Sequence, residues 1–457
     1  MAVPETLHRV KYLSSLAVAA TLTLLAGCAT YHRLPLAKGP DLSKSPVAVT
    51  VAGPVAETGP VALNLARVGD LALVRDPNLA AARVRVKVAR AQAYDAGLLP
   101  DPTLGLTYDK RINGPDPYNG WSASLTESLI KLITHGDVHS SAQAHYAATL
   151  LSWRWQGEQV ALKAQVTYLN VWADRREVAA LRAETNAAKA VLSAAGRAHV
   201  AGALAAVLYE QALQQASSVR LRLQTASDRA IQQQAALATL LRIRAGRKWR
   251  LEAPQPMSAP APGTVNAALE KLPRRRLDLL ALQAGYRSAN AKLRAAILAQ
   301  FPLLSIGFTR ASDTADNNTF GIGINLRLPF FNGNRGKIAI DRATREALNA
   351  AYLAHLDTAA NGVRAVYERF ALTRRELTAV TAELPALARV AHANQRALAR
   401  GQVTRFRSFA ALSAWLDARI DADRLRANAA QLALTLRTLL ALPPLPRSSF
   451  SPAGNST

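Results

Sequence analysis

The chain has 457 residues, half of them apolar, and 56 Lys and Arg outnumber 31 Asp and Glu to give a formal charge of +25. That apolar content excludes a disordered polyelectrolyte, and a single cysteine excludes an intramolecular disulfide framework. The positive balance alone admits nucleic acid as a partner, so the first question is which compartment the chain enters.

The amino terminus bears on that directly. His8, Arg9 and Lys11 are followed by an apolar run from Leu13 to Leu25. The run is too short to span a bilayer comfortably and matches a secretory signal core. It ends in Leu25-Ala26-Gly27-Cys28, which resembles the bacterial lipoprotein cleavage box and puts the only cysteine at the cleavage position. The alternative is an ordinary signal peptide with a chance cysteine. The resemblance implies removal of residues 1–27 and lipid on Cys28. With Ala29 next instead of an acidic residue, it also implies sorting to the outer membrane. An exported chain does not meet chromosomal DNA, so nucleic acid is not expected as a partner. No other stretch approaches 18 consecutive apolar residues, and any deeper membrane contact must come from strands.

Beyond a linker at 28–69, the chain repeats itself with a period near 200 residues. Asn78-Leu79 recurs as Asp278-Leu279, Arg175-Arg176-Glu177 as Arg374-Arg375-Glu376, Gly202 as Gly401, and Leu240-Leu241 as Leu439-Leu440. A series holding nearly one offset over most of the chain marks a duplication. It sets a first repeat at 70–253, a Pro-rich linker at 254–270, a second repeat at 271–442 and a tail at 443–457.

Each repeat reads as helix, two strands and two long helices. Ala-rich helical spacing covers Leu79–Gly97 and Leu277–Gln300, each ending near a proline (Pro100, Pro302). Period-two alternation follows: Leu104, Leu106 and Tyr108, then Trp121, Ala123 and Leu125, and in the second repeat Leu304, Ile306 and Phe308, then the even positions from Phe320 to Leu328. Such alternation suits a strand between lipid and water, and equally a soluble half-buried hairpin. The segments can supply the 9–11 residues or so that cross a bilayer. Four strands cannot close a barrel, whose smallest examples have about eight. Membrane strands would therefore require an oligomer, and three chains would contribute twelve. Residues 137–196 and 335–398 are then nearly continuous helix formers, the second with a kink expected at Pro385, and Gly202 and Gly401 reverse the chain.

Duplicated halves, paired strands and helical hairpins together resemble the TolC-type outer-membrane efflux family. Specific likenesses are Leu328-Pro329-Phe330-Phe331-Asn332-Gly333 after the last strand, the two turn glycines, and Arg400-Gly401-Gln402-Val403-Thr404 followed by Phe409-Ala410-Ala411. They span residues 70–442 or so, and with the lipobox they resemble the lipoprotein branch that serves tripartite pumps. The resemblance implies a mainly α fold with a small transmembrane β part. In that fold a trimeric twelve-stranded barrel in the outer membrane continues into a long α-helical barrel across the periplasm. It further implies a homotrimer partnered by a periplasmic adaptor, an inner-membrane pump and outer-membrane lipid, with no cofactor. The implied role is a passive exit duct for drugs or metal ions. A type I protein secretion component and a lipid-anchored periplasmic scaffold without a channel are the alternatives.

No nucleophile–base pair, phosphate loop or zinc spacing appears, so no enzyme is expected. His135 and His139, with His145 nearby, would share a helical face, but a third metal ligand is not in view and no metal site is expected. Tyr118 and Trp121 are expected at the membrane interface, and Trp153, Trp155 and Trp172 in packing. The resemblance places adaptor contact at the two turns, Gly202-Ala203-Leu204 and Gly401-Gln402-Val403-Thr404. In the family an acidic residue six positions after each turn glycine commonly lines the entrance; here those positions hold Leu208 and Arg407. Threefold symmetry would ring the entrance with Arg407, close to Arg400 and Arg405, and an arginine ring favours anions. Arginines turned outward to adaptor or water are the alternative.

Overall fold

A computed structural model describes residues 62–243, 249–257, 260–301 and 303–442. The signal segment, Cys28, most of the first linker and the tail lie outside the described residues.

Each repeat begins with a short helix that the sequence reading passed over, then the expected Ala-rich one. These are α1 (Leu65–Arg75) and α2 (Pro77–Asp95) in the first repeat, and α5 (Pro262–Arg275) and α6 (Leu277–Leu298) in the second. Local chemistry sets the starts of α1 and α2: the Asn64 side chain accepts from the Arg67 amide at 2.9 Å, and the Asp76 side chain from the Leu79 amide at 2.7 Å, with Pro77 at the first helical position. Helix α5 starts within the stretch expected as linker, because the Pro262 ring suits a first helical turn.

The strands are β2 (Thr103–Asp109), β3 (Gly120–Ser128), β5 (Leu303–Ser312) and β6 (Asn318–Arg327). They form one antiparallel sheet in the order β2-β3-β5-β6. Strand β2 has only 7 residues, fewer than expected for a bilayer-crossing strand. Pro100 and Pro102 donate no amide proton to a ladder, and the Asn113-Gly114-Pro115 turn lies beyond its far end. At the β3–β5 joint between repeats, a Cβ on Gly307 would lie 2.5 Å from Thr126 Cγ2 and 3.0 Å from the Leu125 carbonyl oxygen. Only glycine admits that approach.

From each hairpin the chain enters a long helix, α3 (Leu129–Val200, 72 residues) or α7 (Arg335–Ala399, 65 residues), and returns through a 35-residue helix, α4 (Ala206–Leu240) or α8 (Arg405–Leu439). At 1.5 Å per residue α3 extends about 110 Å. Helix α7 is assigned without interruption through Pro385. Helix α3 is the central member. Its upper half lies between α2 and α6, where Trp153 donates its indole N–H to the Leu79 carbonyl, Ser141 and Ser288 exchange hydroxyl bonds, and Arg294 pairs with Asp137 at 2.8 Å. Its lower half lies between α4 and α8, and α7 packs on α6 and α8. The helical wall thus runs α2/α4, α3, α6/α8, α7.

Four turns repeat one geometry. Gly202 and Gly401 have φ of 69° and 71°, while Arg242 and Ala441, at the same 199-residue offset, have φ of 48° and 49°. Each is followed by an amide that reaches back five residues: Ala203 to Ala198, Gln402 to Ala397, Ile243 to Ala238 and Leu442 to Arg437, at 2.8 to 2.9 Å. This is the Schellman closure, which satisfies carbonyls stranded at a helix end.

At mid-height, the two-residue strands β1 (Ala62–Leu63) and β4 (Arg250–Leu251) pair in parallel beside α3. Tyr168, 1% exposed, places its hydroxyl between the carbonyls of Leu63 (2.8 Å) and Glu252 (2.6 Å). Burial raises this phenol well above its ordinary range, so it remains a donor. Around it pack Trp172, Leu237, Leu241, Trp249, Ala427 and Leu434.

Candidate functional site

The register divides the sheet into two chemically distinct faces. Leu104, Leu106 and Tyr108 align across the strands with Leu125, Ala123 and Trp121; these align with Phe308, Arg310 and Ser312, and the stripe continues onto Leu326, Ile324, Ile322 and Phe320 of β6. This face is apolar and open: Leu106 is 74% exposed, Phe320 72% and Ile324 66%. Its two charged members, Arg310 and Glu127, lie toward opposite ends of their strands, where long side chains can reach water. The other face carries Gly105, Ser122, Ser124, Gly307, Gly321 and Asn325, and is mostly small or polar. The apolar stripe runs on past β6 into Leu328, Phe330 and Phe331, all exposed. Trp121 is opposite Tyr108 in register, and the Tyr118 amide bonds the Thr314 carbonyl, so both expected interface aromatics lie at the loop end of the sheet.

At the far end of the helices the two turns reverse the chain. The Thr404 side chain accepts from the Arg407 amide at 3.3 Å and caps α8. On the α3–α4 side, His199 Nδ1 lies 3.0 Å from the Leu204 carbonyl and its ring stacks on Tyr209. Phe406 and Phe409 of α8 pack with Ala188, Val191 and Ala212, so the two hairpins share one apolar cluster. Arg400, Arg405, Arg407 and Leu208 are all exposed.

Above the tip lies an ionic seam that sequence reasoning missed. Buried Asp174 and Glu177 on α3 meet Arg229 from α4, and Glu177 also meets Arg424 from α8; Arg176 and Arg426 pair with Asp423, and Arg222 bridges Asp417 and the buried Glu184 of α3. Ser413 donates to Glu184. Burial, the largest influence, raises Asp174 and Glu184 above the usual carboxylate range despite these partners. The legible signal was three acids spaced along one face of an otherwise Ala- and Leu-rich helix.

His135 and His139 have ring centroids 6.1 Å apart, and His139 lies beside Gln143. No group of three potential metal ligands occurs among the described residues. Trp153 and Trp172 are packed as expected, and Trp155 lies under the Arg276 guanidinium.

A long α-helical wall ending in a four-stranded sheet with one apolar face defines a class of envelope protein, and comparison agrees. The model of the outer membrane efflux protein family matches residues 68–241 and 268–442, and the chain belongs to that family. A curated relative, the pyoverdine export outer membrane protein OpmQ of Pseudomonas aeruginosa, is 28% identical over 336 residues, covering 68% of each chain. Among solved structures, CusC superposes with a TM-score of 0.67 at 17% identity, covering 91% of this chain and 99% of its own. The Campylobacter jejuni CmeC outer membrane channel gives 0.68 at 17%, covering 90% and 94%. These likenesses establish the fold. Family membership places the chain among outer-membrane efflux channels.

Proposed function

We propose that three copies close into a twelve-stranded barrel continued by a helical tunnel, forming the exit duct of a tripartite efflux system. The open sheet carries this reading. Among the described residues its edge strands, β2 and β6, have no partner across the edge. Because they run in opposite directions within the sheet, β6 of one copy would lie antiparallel to β2 of the next in a closed ring. Open edges do not persist in hydrocarbon, and an antiparallel closure removes both. The helical flanks support the same arrangement: Val84, Val88, Leu221 and Ile231 are exposed on the α2/α4 side, and Ile340, Leu353, Leu372 and Val390 on α7.

In this assembly the Gly/Ser/Thr face lines the lumen and the apolar face meets lipid. Cys28 carries the lipid anchor. The tips at Gly202-Ala203-Leu204 and Gly401-Gln402-Val403-Thr404 meet the adaptor. The duct itself is passive, and an inner-membrane pump supplies the drive for its solutes.

Heat-modifiable trimers from outer-membrane extracts, and labelled palmitate on the wild type but not on Cys28→Ser, are the expected results. Extraction as a soluble monomer would instead indicate a periplasmic scaffold.

A further inference from the structure

The described acids of the lower helical wall are unevenly placed. Asp228, Glu376, Glu383 and Asp421 lie on its helices outside the ion pairs, and five others, Asp174, Glu177, Glu184, Asp417 and Asp423, are engaged by arginines in the ionic seam. Below it, residues 185–216 and 384–416 contain seven Lys and Arg against one acid, Glu210. All seven are exposed, and none takes part in an ion pair among the described residues. The tip is therefore predominantly positive, with Glu210 its single exposed acid.

Helix electrostatics separate these cations into two groups. Arg197, Arg396 and Arg400 lie at the C-terminal ends of α3 and α7, where the macrodipole favours positive charge. Their placement has a stabilising reason. Arg405 and Arg407 occupy the first and third positions of α8, at the positive end of its dipole. Position 407 follows the Thr404 cap by three, where a carboxylate would complete a capping box. Helix stability alone disfavours arginine at both places.

We infer that Arg405 and Arg407 make the tip an anion-concentrating mouth, and that the solutes the channel passes most readily carry carboxylate, phosphate or similarly anionic groups. The inference rests on the channel reading above. With a Debye length of about 8 Å at physiological salt, an arginine cluster acts over the width of a narrow entrance even where a given side chain leans away from the axis. Uncompensated positive charge at a constriction raises the local anion concentration and repels cations.

The test compares wild-type protein with Arg405→Glu/Arg407→Glu in planar bilayers under a salt gradient. The wild type is expected to pass chloride severalfold more readily than potassium. In the double variant, which gains a capping box and should fold at least as well, the ratio should fall below one. A wild-type ratio already below one, or a ratio that the substitutions do not move, overturns the inference and leaves the channel intact.

If the wild-type trimer is closed, binding of inorganic pyrophosphate to it decides the matter. Stabilisation that rises with pyrophosphate and is lost in the double variant supports the inference, and its absence overturns it. Selectivity and pyrophosphate binding unchanged, with pump complementation lost, would make these arginines a docking surface for an acidic protein and also overturn it. Failure to form trimers or pores at all overturns the channel reading itself.

Discussion

Gly401→Ala tests the left-handed turn at the tip in a form that sterics cannot confuse, because an added Cβ there has nothing within 4 Å. The cost is then conformational. An L-residue near φ 71° loses roughly 1–2 kcal/mol relative to its preferred regions, while replacing glycine recovers about 0.5–1 kcal/mol by restricting the unfolded chain. The net is a destabilisation of about 0.5–1 kcal/mol per chain. The offset-related turn supplies the reverse experiment. Ala441 has φ 49° in the same Schellman closure, so Ala441→Gly should stabilise by a similar amount. Hydrogen exchange read by mass spectrometry measures both. The peptide spanning the α7–α8 turn should exchange about two- to fivefold faster in Gly401→Ala, and the one containing Leu442 correspondingly slower in Ala441→Gly. Unchanged or slower exchange in the first variant, or faster exchange in the second, would refute the assignment of these residues to a common strained turn.

Three further perturbations probe other joints. Tyr168→Phe removes the donor shared by the Leu63 and Glu252 carbonyls; Leu63 O keeps the Glu252 amide at 3.1 Å, so the loss should be about 1–2 kcal/mol in urea titrations of the purified protein. Gly307→Ala forces a Cβ against Thr126 and should cost about 1–3 kcal/mol per chain, lowering the temperature at which trimers dissociate on gels, whereas Gly321→Ala on β6, with nothing within 4 Å, should not. Because burial raises Asp174 and Glu184, the folded chain binds protons before the unfolded one as pH falls. Their contribution to stability is therefore largest below the ordinary carboxylate range and is lost as pH rises through the raised values. Glu184→Gln retains a side chain able to bond Ser413 and should flatten the fall in melting temperature between weakly acidic and neutral buffer; an unchanged slope would count against burial as the cause.

The two halves and the period-two strands were legible because they are written in local spacing. Gly202 and Gly401 announced the tips because few other residues adopt φ near 70° without strain. The uniform Ala-rich character of α3 hid which of its faces is buried. Alanine fits a packed seam or a solvated surface equally well, and only partners hundreds of residues away, such as Asp423 for Arg176, define the seam. Arg242 and Ala441 carried no signal for their left-handed turns, because the closure of the repeat imposes a conformation their residue types do not prefer. The two-residue pairing of β1 with β4 is likewise too short for any periodicity and depends on Tyr168 beside it.

Sequence by itself determined the duplicated unit, the alternating strands and the basic tip, since each follows from residue type and spacing along one segment. Tertiary structure alone decided that the apolar stripe is continuous across four strands, that both sheet edges are open among the described residues of the single chain, and that the buried acids of α3 meet their arginines above the tip. Register and long-range pairing belong to surfaces that come together only when distant segments meet.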